Sequence, residues 1–351
     1  MAPNTEKLNE FLGKFVNDLG ATFHAGMVVI GERLGLYKVL ASGPMTSVEL
    51  AAKTKTDERY VREWLSSQAA GGYVTYDATT RKFGLNEEQL FTLADENSPA
   101  YIPGAFELAI GSLTAVPRVI EAFVTGVGIG WHEHDQGVFH GCEKFFRPNY
   151  AANLVNAWIP ALSGVEAKLN DGARVADVSC GHGASTILMA AAYPRSEFVG
   201  FDYHEKSIVA ARASAQKAGV ADRARFEVAA SKEYPGKDYD FVTMFDCLHD
   251  MGDPVGAASH VRQSLKRDGH WMIVEPFAHD ALTDNLNPVG RIYYSASTLL
   301  CTPCSRSQEV GLCLGAQAGE AHMRTVVTSG GFTQFRRAAE TPFNLVYEAR
   351  P

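Results

Sequence analysis

The sequence predicts an α/β protein in which a mostly helical amino-terminal domain precedes a parallel sheet covered by helices on both faces. Three observations carry that expectation. Apolar residues recur at helical spacing near the amino terminus, short apolar runs alternate with helical stretches from Ala173 onward, and a glycine-containing loop follows the first of those runs. At 351 residues, 46% apolar and 21% charged, the chain is too long for one core and too apolar for disorder, so more than one domain is expected.

Between Leu8 and Leu40, the residues Phe11, Phe15, Leu19, Phe23, Met27, Ile30, Leu34 and Leu36 predict helices with one buried face, broken at Gly35. Thr46-Ser47-Val48-Glu49 is a capping-box pattern that opens a short helix. Thr56 and Asp57 open another, which runs through Tyr60, Val61, Trp64 and Leu65 and stops at Gly71-Gly72. Residues 73–76 and 82–85 then predict a hairpin, completing a winged helix within residues 1–100. A winged helix raises the question of DNA. Its second helix, however, presents Glu58, Arg59, Arg62 and Glu63, and residues 1–100 hold ten basic against thirteen acidic groups. Phosphate neutralisation needs a net basic face, so nucleic acid is an unlikely partner and pairing with a second copy of the domain is expected.

The carboxyl-terminal part offers seven strands, at residues 174–178, 197–201, 224–228, 241–245, 270–274, 332–336 and 344–349. Helices are expected at 185–193, 207–218, 255–265 and 320–329, the third starting at Asp253-Pro254 with Asp as N-cap and Pro in the first turn. The first strand runs into Asp177-Val178-Ser179-Cys180-Gly181-His182-Gly183, a loop whose glycines let backbone approach a ligand at the carboxyl edge of the sheet. Asp202 ends the second strand nineteen residues beyond Gly183, the offset at which an acid takes a ribose hydroxyl pair. A plain tight turn is the alternative for the loop alone.

The runs DVSCGHG, VGFDYH, FDCLHDMGDP and IVEPF resemble the successive motifs of class I S-adenosylmethionine-dependent methyltransferases. More closely, nearly the whole chain is similar to winged-helix small-molecule methyltransferases of actinobacterial type and, more distantly, to plant phenolic O-methyltransferases. The resemblance implies a Rossmann-like seven-stranded sheet with a final antiparallel strand, an amino-terminal dimerisation domain and S-adenosyl-L-methionine as cofactor. It implies that Asp177, Gly181 and Gly183 hold the methionine moiety and that Asp202, with Tyr203 beside it, takes the ribose. Ser231 and Lys232 would lie by the adenine, and Asp246 and Cys247 near the sulfonium. Ser179 departs from the family's D-x-G-x-G-x-G pattern by standing where its first glycine is expected.

Methyl transfer from a sulfonium needs an aligned acceptor and removal of its proton. His249, in Leu248-His249-Asp250-Met251, matches the family's basic histidine; a loop histidine bonded to backbone is the alternative. With an ordinary pKa near 6.5 it would be largely neutral at pH 7. Met251 replaces the family's tryptophan and would shape the acceptor pocket. Glu275 resembles the carboxylate that orients this histidine, and Glu320 is a second such acid or a helix first-turn residue.

The connector, residues 101–166, is the least regular part. Its run Trp131-His132-Glu133-His134-Asp135 admits three readings: polar residues (His132, His134) lining the acceptor pocket, a metal site, or a solvated loop. Tyr150 reads either as a lid contact to the cofactor or as part of an amphipathic helix with Leu154, Trp158 and Leu162. Cys301-Thr302-Pro303-Cys304 has CxxC spacing without a second pair at zinc spacing, so its thiols are expected in a pocket or core and no resident metal is expected. Six cysteines, no basic-apolar leader and no membrane-length apolar run favour a reducing, cytosolic setting.

The sequence therefore predicts residues 1–100 as a winged-helix dimerisation domain, 101–166 as a helical connector and lid, and 167–351 as the cofactor-binding domain of a homodimeric methyltransferase. Its small-molecule acceptor is most readily a hydroxyl. Two rivals remain at this level: a transcription regulator that senses the cofactor, and a relative that runs non-methylating or metal-assisted chemistry in the same site.

Overall fold

Short polar side chains set the helix starts in the amino-terminal part of the computed structural model, which describes residues 3–351. Met1 and Ala2, the start of the expected first domain, lie outside the described residues. Asn4 caps α1 (Thr5–Arg33) by accepting from the Lys7 N–H at 3.0 Å. Gly35, at φ +67°, turns the chain into α2 (Leu36–Leu40). Thr46 and Glu49 form the expected capping box of α3 (Ser47–Thr54), and Asp57 caps α4 (Glu58–Ala70). Strands β1 (Thr75–Asp77) and β2 (Lys82–Gly84) pair antiparallel as the wing. Leu36, Leu40, Leu50, Trp64 and Leu65 pack around Tyr37, whose hydroxyl donates to buried Gln68 at 2.6 Å.

The face expected to be buried along α1 is not. Val28 is buried, but Phe11, Phe15, Leu19 and Phe23 face solvent, Phe23 at 73% exposure. The helix outruns the core it packs on and leaves several turns of apolar stripe without a partner in its own chain.

The chain divides into two units, Met1–Gly111 with His140–Pro148, and Ser112–Phe139 with Asn149–Pro351. The connector is thus not a unit of its own. It is also more regular than its composition suggests, with helices at Pro103–Leu113, Val116–Thr125 and Gln136–Asn153, the last capped by Asp135 and carrying Pro148 inside it.

The second unit holds a seven-stranded sheet: β3 (Arg174–Val178), β4 (Glu197–Asp202), β5 (Ala224–Val228), β6 (Tyr239–Phe245), β7 (Leu265–Pro276), β8 (Gln334–Glu340) and β9 (Asn344–Arg350). Their order is β5-β4-β3-β6-β7-β9-β8, with β9 antiparallel to both neighbours and the first five strands parallel. Central strands buried on both faces explain the continuous apolar runs of the sequence. One core lies where Val242, Met244, Trp271 and Ile273 meet Ala257, Val261 and Val327 of the covering helices. β7 starts at Leu265, five residues before the expected strand, because a bulge between Tyr239 and Phe241 extends its pairing with β6.

Candidate active site

Strand order reverses between β3 and β6, so connections leave their carboxyl ends in opposite directions and open a crevice there. The loop after β3 enters it with every second residue left-handed: Ser179 at φ +60°, Gly181 at +52° and Gly183 at +79°. A side chain on Gly183 would collide with Phe226 at 2.6 Å, whereas one on Gly181 would meet nothing within 4 Å, so the backbone there faces open space. Ser179 adopts the conformation a glycine favours, and its hydroxyl bonds the Cys247 thiol. Ser179→Gly is expected to relieve part of the about 1–2 kcal/mol that a left-handed L-residue costs, raising the thermal midpoint; a fall in stability would show that the bond to Cys247 outweighs the strain.

Asp177 and Asp202 flank this loop differently. Asp177, fully buried, accepts from Ser185 at 2.6 Å, Thr186 at 2.5 Å and Thr243 at 2.8 Å, so it ties β3, β6 and the helix Ala184–Ala192 together beneath the loop. Burial raises its pKa against the pull of those three hydroxyls. Asp202 accepts from the Gly181 N–H at 3.0 Å and the His204 N–H at 2.8 Å. Burial raises its pKa too, and two donors leave it free acceptor capacity for a diol. Tyr203 is half-exposed with its ring edge-on to His132. Ser231 and Lys232 follow β5, where the Lys232 ammonium meets Asp253 at 3.0 Å and Glu309 at 3.1 Å.

Asp246, directly after β6, is held left-handed at φ +49° by its N–H bond to the Val274 carbonyl. Tyr150 donates to one of its oxygens at 2.7 Å and Asn344 to the other at 3.0 Å. Burial lifts the Asp246 carboxyl to about 7, with the Tyr150 bond opposing and the nearby Glu275 charge adding to the rise. Both readings of Tyr150 hold at once: it lies on the helix Gln136–Asn153, packs against Trp158, and contacts the crevice acid.

Three residues on, His249 is buried between carboxylates. Its Nδ1 bonds Glu275, whose other oxygen accepts the Leu248 N–H at 3.0 Å, and its Nε2 lies 3.1 Å from Asp250. Burial alone would lower the imidazole pKa, but the charges of Asp250 and Glu275 override it and hold it well above 6.5. Against the expectation of an ordinary pKa near 6.5, this cage favours the charged ring.

Glu320 stands apart from that cage. It bonds Arg324 and Arg337 on the helix Gly319–Ser329 and β8, an arrangement that anchors the sheet edge, and the second acid at the imidazole is Asp250. Met251 lies in the core beside Met244 and Leu248, with its carbonyl accepting from Ser305. The His132–Asp135 run does not converge on a metal. Glu133 pairs with Arg118, Asp135 caps a helix, His132 is exposed, and His134 is buried with both ring nitrogens lacking a protein partner. Asp250 Oδ1 is buried against His249 Nε2, 3.1 Å away. Sequence reasoning passed over Asp250, although it adjoins His249, and Asn344, whose role appears only when β9 returns beside β7.

On the winged-helix side, Arg59 pairs with Glu63 and Arg62 with Glu58 one turn away, so α4 carries no unneutralised basic face. All six cysteines are free thiols, and among the described residues no single helix is long and apolar enough to cross a membrane.

Residues 169–327 match the methyltransferase-domain family and residues 22–94 the Rv2258c-like winged HTH domain. The chain is 38% identical over 131 residues to 27-O-demethylrifamycin SV methyltransferase of Amycolatopsis mediterranei, covering 35% of this chain and 48% of that protein. It spans about half the length of the curated relatives it matches. Among solved structures it is similar to the mitomycin 7-O-methyltransferase (TM-score 0.71, 17% identity, 99% of this chain and 100% of that one). Human N-acetylserotonin methyltransferase gives a TM-score of 0.65 at 17% identity, over 100% of this chain and 99% of that one. These likenesses show the fold, and the chain carries a methyltransferase domain, built on the seven-stranded sheet, behind an Rv2258c-like winged HTH domain.

Proposed function

We propose that the chain transfers the methyl group of S-adenosyl-L-methionine to a hydroxyl of a small-molecule acceptor, with His249 taking the acceptor's proton. The observation that carries the reading is the buried row Glu275–His249–Asp250 at the carboxyl ends of β6 and β7, with His249 two residues beyond Cys247. The residues present fit the cofactor: open space over Gly181, spare acceptor capacity on Asp202, and two buried acids of the crevice, Asp202 and Asp246, that favour a cation. Bound S-adenosyl-L-methionine supplies a methyl group on a sulfonium, an electrophile that needs no further activation.

Asp202 takes the ribose hydroxyls, with Tyr203 beside it; Gly181 and Gly183 hold the methionine end by their backbone, and Asp177 keeps that loop in place. Ser231 and Lys232 border the adenine, the latter fixed by Asp253 and Glu309. Tyr150 and Asn344 orient Asp246, which would lie near the sulfonium of the bound cofactor. Glu275 holds the His249 Nδ1 proton, so that in the neutral ring Nε2 is left to accept from the acceptor hydroxyl. His134 brings two unsatisfied ring nitrogens that an acceptor's own hydroxyls and carbonyls can pair with. The test is a screen of phenols and enols for production of S-adenosylhomocysteine by the purified chain. Turnover restricted to hydroxyl acceptors supports the reading; turnover only with amines or thiols would overturn the assignment of oxygen.

The solvent-facing stripe of α1 pairs with a second copy of the chain in a cytosolic homodimer, burying what the monomer leaves exposed. Phe11→Asp combined with Phe15→Asp is expected to convert a dimer to a monomer by sedimentation equilibrium, and an unchanged mass would place the contact elsewhere.

A further inference from the structure

The methyl-transfer reading uses His249 and its carboxylates but leaves the Cys301 thiol unexplained. His249, Asp250 and Cys301 each offer one donor atom, and these atoms lie within 4.8 Å of one another. We propose that His249 Nε2, Asp250 Oδ1 and Cys301 Sγ form a three-ligand site for a zinc-class divalent cation, and that its occupation switches methyl transfer off.

Several features suit the site to a metal. Bonds of about 2.0–2.3 Å in a tetrahedral centre put ligand atoms roughly 3.3–3.8 Å apart, and the 3.1 Å between His249 Nε2 and Asp250 Oδ1 is close to that edge already. Glu275 sits on the far nitrogen of the same ring, the carboxylate–histidine arrangement that fixes the tautomer of a metal-binding imidazole. Asp250 Oδ1 is buried and faces the His249 Nε2. One nitrogen, one oxygen and one sulfur are a borderline-soft set, which selects zinc over calcium or magnesium. Three protein ligands leave a fourth position for water.

On binding, the metal–sulfur bond forms as the Cys301 thiol proton leaves to solvent, and a proton on His249 Nε2 leaves in the same way. The metal then occupies the lone pair that proton abstraction needs. Binding itself is independent of the methyl-transfer reading, whereas inhibition rests on it.

Cobalt(II) tests the site without cofactor or acceptor. Chelator-treated full-length chain titrated with cobalt is expected to bind one equivalent and to develop thiolate-to-metal charge-transfer absorption with ligand-field bands of a four-coordinate centre. Cys301→Ser should abolish the charge-transfer band and weaken binding at least tenfold, while Cys142→Ser, in the amino-terminal unit, should leave both unchanged. X-ray absorption of the unaltered protein loaded with zinc needs no variant, and should show one sulfur at about 2.3 Å among nitrogen and oxygen neighbours at about 2.0–2.1 Å. A shell without sulfur, or a charge-transfer band that survives Cys301→Ser, overturns the site. If the site binds as expected but zinc leaves turnover unchanged, the switch falls while the site stands; if no turnover is found with any acceptor, the cobalt result still decides the site by itself.

Discussion

Replacing His249 with alanine is expected to lower turnover by about 10²- to 10⁴-fold, the usual contribution of a positioned base, while S-adenosylmethionine affinity stays within a few-fold of wild type. The separation follows from the proposed site, in which the ribose, methionine and adenine contacts are assigned to Asp202, the Ser179–Gly183 loop and the Ser231–Lys232 turn rather than to the imidazole. Its pH dependence has a definite sign. Only the neutral ring can take a proton, and Asp250 and Glu275 hold the imidazole well above 6.5. In chelator-containing buffer the wild-type rate should therefore still be climbing above pH 7 and fall as pH drops through that raised pKa. Glu275→Gln removes one of the two charges and should move this limb toward lower pH. Stability carries the same linkage in reverse: the charged ring supports the fold fully below pH 6.5 and loses that support as pH rises through the folded-state value. Full turnover in His249→Ala with an unchanged profile would mean that alignment alone drives transfer.

Asp202→Ala is the second large effect, expected to weaken S-adenosylmethionine binding by about 2 kcal/mol, close to thirtyfold in Kd, the scale of charged hydrogen bonds lost. The same carboxylate also receives the N–H groups of Gly181 and His204, so its loss loosens the glycine loop as well as the ribose contact. Asp202→Asn removes the charge and keeps an acceptor for only one of those two N–H groups, so it should fall between wild type and Asp202→Ala. Calorimetry on both variants should rank wild type above Asn above Ala. Equal affinities across the three would remove Asp202 from the site.

Much of this was legible before the fold was known, and the reasons are physical. Strands buried on both faces write themselves as apolar runs, and caps such as Thr46 with Glu49 or Asp253 before Pro254 are local signals that tertiary structure did not override. The helix Pro288–Ala296 was missed although Asn287-Pro288 announces it with the same cap-and-proline chemistry. Its neighbour at Ser297–Cys301 winds as a π-helix, which carries no sequence period to read. The amphipathic pattern of α1 was legible, but periodicity identifies an apolar face and says nothing about whether the same chain or a second one covers it. In the candidate site, local motifs singled out His249, Asp246 and the glycine loop. What they could not convey was the result of long-range pairing: Glu275 and Asp250 closing on one imidazole, Asn344 arriving from β9, and Cys301 joining the cluster from a helix some fifty residues away. Glu320 shows the converse, a residue whose match rested on loose alignment and whose partners are Arg324 and Arg337.

The central claim is that the cofactor lies across the carboxyl ends of β3 and β6 with its reactive end toward His249. A crystal structure of the chain soaked with S-adenosylhomocysteine tests it most directly. The account predicts density with the ribose hydroxyls on Asp202, the methionine end over Gly181, and the sulfur beside Asp246 and Cys247 with His249 Nε2 facing the space beyond it. Density for the compound anywhere else, or a sulfur walled off from His249, would contradict it.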